Sequence, residues 1–140
     1  MWPLDATDTR EFAVSESVTN NVHIAIVDDH ESVRSALASL LRSYGYLTSS
    51  FDSAESLLAG APAEHYQCIV TDLQMPGMSG IDLLEQLRRQ GSATPLIMIT
   101  AFPEPAVRQR VLQSGASCFL GKPFQSNDLV RCIRQACNEV

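Results

Sequence analysis

A chain of 140 residues with 45% hydrophobic content has material for one well-formed core and little for a second. Sixteen acidic residues against ten basic ones leave a net charge of -6. The Lys and Arg residues form no cluster that would track a phosphate backbone, which argues against direct nucleic-acid binding by this segment. No apolar run is long enough to span a bilayer and no basic-then-apolar leader follows Met1, so a cytoplasmic protein without a membrane contact is expected.

Residues 1 to 21 are polar and acidic and hold neither a period of 2 nor one of 3.6, so they are expected to form a flexible N-terminal extension in which Trp2 requires no function. Residues 22 to 140 read as one domain. Short apolar runs, His23 to Val27, Tyr46 to Phe51, Cys68 to Val70, Leu96 to Thr100 and Cys118 to Leu120, alternate with amphipathic stretches. Five strands and five helices are predicted. The first helix, near Glu31 to Ser43, carries Val33, Ala36, Leu37, Leu40 and Leu41 as its apolar stripe, and Gly45 sits where a left-handed terminator belongs. Asp52 with Glu55, and Ser79 with Asp82, have the spacing of helix-start capping pairs. Gly91 and Gly115 follow the third and fourth helices as stop signals. In the last helix, about Ser126 to Asn138, Leu129, Ile133 and Ala136 form a stripe that Cys132 extends.

Cys68, Cys118, Cys132 and Cys137 lack metal-ligand spacing, and two of them lie in apolar runs. Buried reduced thiols are expected rather than disulfides.

Strand and helix in strict alternation imply an α/β domain: a parallel sheet with right-handed crossovers and helices on both faces. In open sheets of this kind, function gathers at the carboxyl ends of the strands. Polar residues stand there: Asp28 and Asp29 after the first run, Asp72 in Val70-Thr71-Asp72-Leu73-Gln74-Met75-Pro76-Gly77 after the third, Thr100 after the fourth, and Lys122-Pro123 after the fifth. Singly each has a plain explanation, since Asp favours helix caps and Pro-Gly favours turns. Together they predict one pocket.

Three carboxylates drawn together repel, by about 4 kcal/mol for a pair about 4 Å apart at an effective dielectric near 20. A cation must offset that cost. Oxygen donors in an open, hydrated site suit Mg²⁺, with Mn²⁺ as a chemical alternative. Beside such an ion Asp72 is a candidate nucleophile toward a phosphoryl group, with Thr100 and Lys122 contacting the transferred oxygens.

At these residues the sequence resembles the receiver domain of bacterial two-component response regulators, over roughly His23 to Asn138. The stretches Thr71 to Gly80 and Gly121-Lys122-Pro123-Phe124 look most like the FixJ-like group, whose receivers normally precede a helix-turn-helix output domain. The resemblance implies a flavodoxin-like (βα)5 fold with strand order 2-1-3-4-5, a sensor histidine kinase as phosphoryl donor and Asp72 as phosphoacceptor. It further implies Asp28, Asp29, Asp72 and the backbone carbonyl of Gln74 as the metal's protein ligands, and Thr100, Lys122 and Phe119 as switch residues. A strand phenylalanine such as Phe119 is otherwise simply core. By the same resemblance the phosphorylated state is read at the face of the fourth helix, fifth strand and fifth helix, through which homodimerisation is expected and on which Arg108 and Arg110 lie. The family is one of phosphoacceptor switches rather than of enzymes with a separate substrate.

One departure is the loop Ala101-Phe102-Pro103-Glu104-Pro105, where prolines flank Glu104 and Phe102 is expected to shield the pocket in part. The reading from a different class is a Mg²⁺-dependent phosphohydrolase with an aspartyl nucleophile. Such enzymes usually place a second aspartate two residues on, where this chain has Gln74. A flavin-binding module shares the fold class, but no glycine-rich phosphate loop is evident.

Overall fold

The computed structural model describes residues 22–137. The expected extension, with Trp2, lies outside the described residues, and the last helix, expected to run to about Asn138, ends at Ala136 with Cys137 as its cap. Strand β1 (His23–Val27) turns Ile24 and Ile26 to one face and Ala25 and Val27 to the other, all buried. A strand apolar on both sides must be covered on both sides. The same holds for β3 (Cys68–Asp72) and β4 (Leu96–Thr100), which are buried along their whole lengths. The edge strands β2 (Leu47–Phe51) and β5 (Cys118–Gly121) are partly exposed.

All neighbouring strands pair in parallel, in the order β2-β1-β3-β4-β5. The order reverses between β1 and β3, and Val27 lies opposite Thr71, Asp72 opposite Ile99 and Thr100 opposite Gly121. That register brings the predicted polar residues to one sheet end.

Helices α1 (Glu31–Ser43) and α5 (Ser126–Ala136) cover one face, placing Leu37, Ala38, Leu41, Leu129 and Ile133 against Ile24, Ile26, Val70 and Ile97. On the opposite face α2 (Ala54–Ala59), α3 (Gly80–Arg89) and α4 (Pro105–Gln113) pack on Ala25, Val27, Ile69 and Met98. A single turn of 3-10 helix, Ala63–His65, precedes β3. Burial of each large side chain such as Leu83 or Leu129 is worth about 1.5–3 kcal/mol. Helix α4 is seated by little, its only buried residue being Val111.

Gly45, Gly91 and Gly115 all take positive φ after their helices, and Ser79 with Asp82 forms the expected capping box. Other expectations are corrected. The α2 cap is Ser53, whose Oγ accepts from Ser56 N–H, while Glu55 reaches across to accept from Met78 N–H at 3.0 Å. Asp52 accepts instead from the Ser56 hydroxyl. In α1, Ala36 is exposed and Ala38 buried, because the stripe that meets the sheet is centred on Leu37 and Leu41. Strand β2 starts at Leu47 rather than Tyr46, and β3 and β5 run on to Asp72 and Gly121.

The expectation of four reduced thiols is overturned for one pair. Cys118 and Cys132 form a disulfide, their Cα atoms 6.1 Å apart. The helix after β5 folds back onto it, so residues 14 apart in sequence become neighbours, which linear spacing does not reveal. Cys68 and Cys137 remain thiols.

Candidate functional site

The carboxyl ends of β1, β3, β4 and β5 converge on a cluster built around Asp72. Its carboxylate is the last side chain of β3, only 6% exposed, and its Oδ1 lies 3.4 Å from Lys122 Nζ. The same ammonium is 3.7 Å from Oδ2 of Asp28, which is 2% exposed. Lys122 therefore spans the two buried carboxylates. Its own position follows from its main chain, which continues the β4–β5 ladder by donating from Lys122 N–H to Thr100 C=O at 2.7 Å.

Asp28 is fixed from behind. Its Oδ1 accepts from His30 N–H at 2.8 Å and its carbonyl accepts from the Arg34 guanidinium at 2.7 Å. His30 Nδ1 also lies 3.3 Å from Oδ1 of both Asp28 and Asp29. Neither His30 nor Arg34 stood out in the sequence, although His30 directly follows the acidic pair.

Thr100 is fully buried, and its hydroxyl donates to Gln74 Oε1 at 2.8 Å while accepting from Phe102 N–H at 3.0 Å. The resemblance implies a role for the Gln74 carbonyl and none for its side chain. Phe119 is 6% exposed, with its ring in the core and the Arg108 guanidinium carbon 5.9 Å from the ring centroid. Ala101, Phe102 and Pro123 are exposed around the cluster, Phe102 at 58%.

Two glycines shape the rim. Gly77 takes φ +78° in the turn after Asp72, and a Cβ there would meet Glu55 Oε2 at 2.8 Å. Gly121, opposite Thr100, leaves room for Pro103, which a Cβ would approach to 2.6 Å. The proline-rich loop is thus seated on β5.

Burial pushes the Asp72 carboxyl above its ordinary range; Lys122 pulls it down, while Asp28 and Asp29 push it up. One ammonium serves the two buried carboxylates, while Asp29 faces His30. Asp29 Oδ1 is buried and accepts no hydrogen bond among the described residues, its near polar neighbour being His30 Nδ1 at 3.3 Å. A buried carboxylate oxygen that accepts no hydrogen bond, beside two further carboxylates, fits a divalent cation with oxygen ligands. A carboxylate so placed, with an ammonium and a hydroxyl beside it, has the parts needed to accept a phosphoryl group.

The response regulator receiver domain model matches residues 24–134. This chain belongs to that family. The receiver is 34% identical to the transcriptional regulatory protein FixJ of Bradyrhizobium diazoefficiens, over 85% of this chain and 58% of that protein. It is 37% identical to FixJ of Rhizobium meliloti (81% of this chain, 55% of that protein) and 35% identical to the response regulator protein TodT of Pseudomonas putida (81% and 50%). The chain spans about half the length of these curated relatives. Among solved structures, FixJ-N superposes with a TM-score of 0.76 at 34% identity, covering 85% of this chain and 95% of that one. The response regulator StyR superposes at 0.78 and 39% identity, covering 84% and 60%. The flavodoxin-like receiver fold expected from the resemblance is the fold observed.

Among the described residues no helix is long and apolar enough to cross a membrane.

Proposed function

We propose that this receiver is a phosphorylation-dependent switch in which Asp72 accepts a phosphoryl group from the phosphohistidine of a sensor histidine kinase in the cytoplasm. The observation that carries the reading is the placement of Asp72 Oδ1, buried and 3.4 Å from Lys122 Nζ, beside Asp28 and next to the strand end that holds Thr100. An Asp72 oxygen attacks phosphorus, the P–N bond breaks, and the donor imidazole, protonated on its other nitrogen, leaves neutral. No separate base is needed, because the ionised carboxylate is already nucleophilic.

Asp28, Asp29, Asp72 and the Gln74 carbonyl would hold Mg²⁺, or Mn²⁺ in its place. When bound, the ion neutralises charge on the transferring group. Lys122 would move from Asp72 Oδ1 to a phosphoryl oxygen, and the Thr100 hydroxyl would leave Gln74 to donate to another. Phosphate thereby stabilises one arrangement of β4 and β5 over the other, which is the differential interaction a switch requires. Helix α4 supports this reading, since a helix anchored by the buried Val111 and the partly buried Val107 moves at low cost. The face of α4, β5 and α5 would then pair with a second copy or with an output domain of the transcription-regulating kind.

Incubation with Mg²⁺ and acetyl phosphate tests the reading: one phosphoryl group per chain, mapped to Asp72 and absent from Asp72→Asn. Continuous release of many phosphates per chain would instead favour the phosphohydrolase. Phe119 is assigned to the switch by the resemblance to receivers, three residues before Lys122 on the strand that pairs with β4. Phe119→Ala should weaken phosphorylation-dependent dimerisation by about tenfold while leaving Asp72 labelling intact; unchanged dimerisation removes Phe119 from the mechanism. Phe102, whose N–H donates to the Thr100 hydroxyl, would limit water access to the acyl phosphate, so Phe102→Glu should shorten its lifetime. Equal lifetimes would dispose of that role.

A further inference from the structure

All four cysteines of the chain converge on helix α5. Cys132 lies within it and Cys137 at its carboxyl cap, while Cys118 stands on β5 and Cys68 at the start of β3. They form two pairs of different character. Cys68 is fully buried, and its hydrogen bond with Cys137, then burial, push its thiol well above the ordinary value of 9.0. Cys68 therefore holds little thiolate and is closed to reagents, with the partly buried Cys137 beside it. Cys118, by contrast, is only partly buried on an edge strand, and its partner is the disulfide-bonded Cys132.

The bond also has a telling position. Its 14-residue span contains Phe119, Lys122 and Pro123, so it closes a loop around the residues assigned to the switch. The fold has no evident need of it, since Leu129 and Ile133 already seat α5 on the sheet without solvent exposure. In a compartment buffered by glutathione, disulfides that do form are mostly transient and redox-sensing.

We propose that Cys118 and Cys132 are a reversible dithiol–disulfide site whose co-substrate is a small-molecule disulfide, and that its redox state sets how freely the segment from Phe119 to Lys122 moves. The second half rests on the functional reading above. In the forward direction the Cys118 thiolate attacks one sulfur of glutathione disulfide, forming a mixed disulfide and releasing one glutathione thiolate. The Cys132 thiolate then attacks the Cys118 sulfur, forming the intramolecular bond and releasing the second glutathione thiolate. Two protein thiols are oxidised by two electrons, one glutathione disulfide is reduced to two thiols, and the two protons lost by the cysteines end on glutathione. Excess reduced glutathione reverses both steps.

The test equilibrates the full chain in glutathione buffers of graded reduced-to-oxidised ratio, blocks thiols with N-ethylmaleimide, denatures, and maps peptides by mass spectrometry. Cys118 and Cys132 should convert together, with a midpoint inside the buffer series, while Cys68 and Cys137 stay reduced. A pair that stays wholly reduced or wholly oxidised at every ratio, or that accumulates only glutathione adducts, overturns the site. Hydrogen exchange across residues 119–131 should be about fivefold slower in the oxidised form, and the difference should vanish in Cys118→Ser. Equal rates in the two forms overturn the coupling. Acetyl phosphate labelling of the same samples separates the two claims. Redox conversion without any labelling of Asp72 defeats the phosphorylation reading and the coupling but leaves the thiol site standing.

Discussion

Thr100 has one hydroxyl proton, and in this structure Gln74 holds it. A hydroxyl cannot donate to Gln74 Oε1 and to a phosphoryl oxygen at once, so the 2.8 Å bond acts against the switched arrangement. A hydrogen bond of this kind is worth about 1 kcal/mol net, roughly a fivefold bias in a two-state equilibrium. Gln74→Ala should therefore raise the switched population of the unphosphorylated protein several-fold, visible as a shift of the Thr100 and Phe119 NMR resonances toward their phosphorylated positions. Resonances identical to wild type would show that Gln74 restrains nothing. Asp72, Asp28, Thr100 and Lys122 were all legible in the sequence, because each follows an apolar run whose end is easily seen. The Gln74 side chain, His30 and Arg34 were not, since what they touch depends on how loops turn rather than on any periodicity.

At the scale of elements, the loop between β4 and α4 is placed by a contact with β5. Gly121 gives Pro103 room, and a Cβ at that position would stand 2.6 Å from two ring carbons of the proline. Gly121→Ala should force the loop outward and cost about 1–3 kcal/mol, the usual range for overpacking. Chemical denaturation would measure that loss, and perturbed amide resonances at Phe102 and Thr100 would localise it. Wild-type stability would mean the loop yields freely. Element types were readable from period 2 and period 3.6, and the capping box at Ser79 and Asp82 was readable from spacing. The α2 start was misread. Asp52, Ser53 and Glu55 are all plausible caps, and only the docking of Glu55 onto Met78 N–H leaves Ser53 to do the capping.

For the whole molecule, the site is held against the preference of its own charges. Asp72 has its pKa raised by burial, so the folded state disfavours the carboxylate relative to the unfolded chain. The sign follows: with the folded value above the ordinary 3.8, stability falls as pH rises through the window between them and stays reduced above it. Asp72→Asn removes that penalty. In the absence of divalent metal at pH 7 it should melt several degrees above wild type, and the gap should close as pH is lowered toward 3.8. A lower melting temperature for the variant at pH 7 would falsify this account of the pocket's electrostatics.

The amino-acid order alone determined the α/β class, the alternation of strands and helices and the candidate chemistry, because hydrophobic period and terminal residues are local properties of the chain. Resemblance to receivers supplied the strand order that the sheet then displayed. Tertiary structure decided what depends on distance through space. It set Lys122 between Asp28 and Asp72, bound Thr100 to Gln74, and brought Cys118 to Cys132 beneath a returning helix. Such contacts join residues from separate elements, and their partners are fixed only when helices pack on both faces of the sheet.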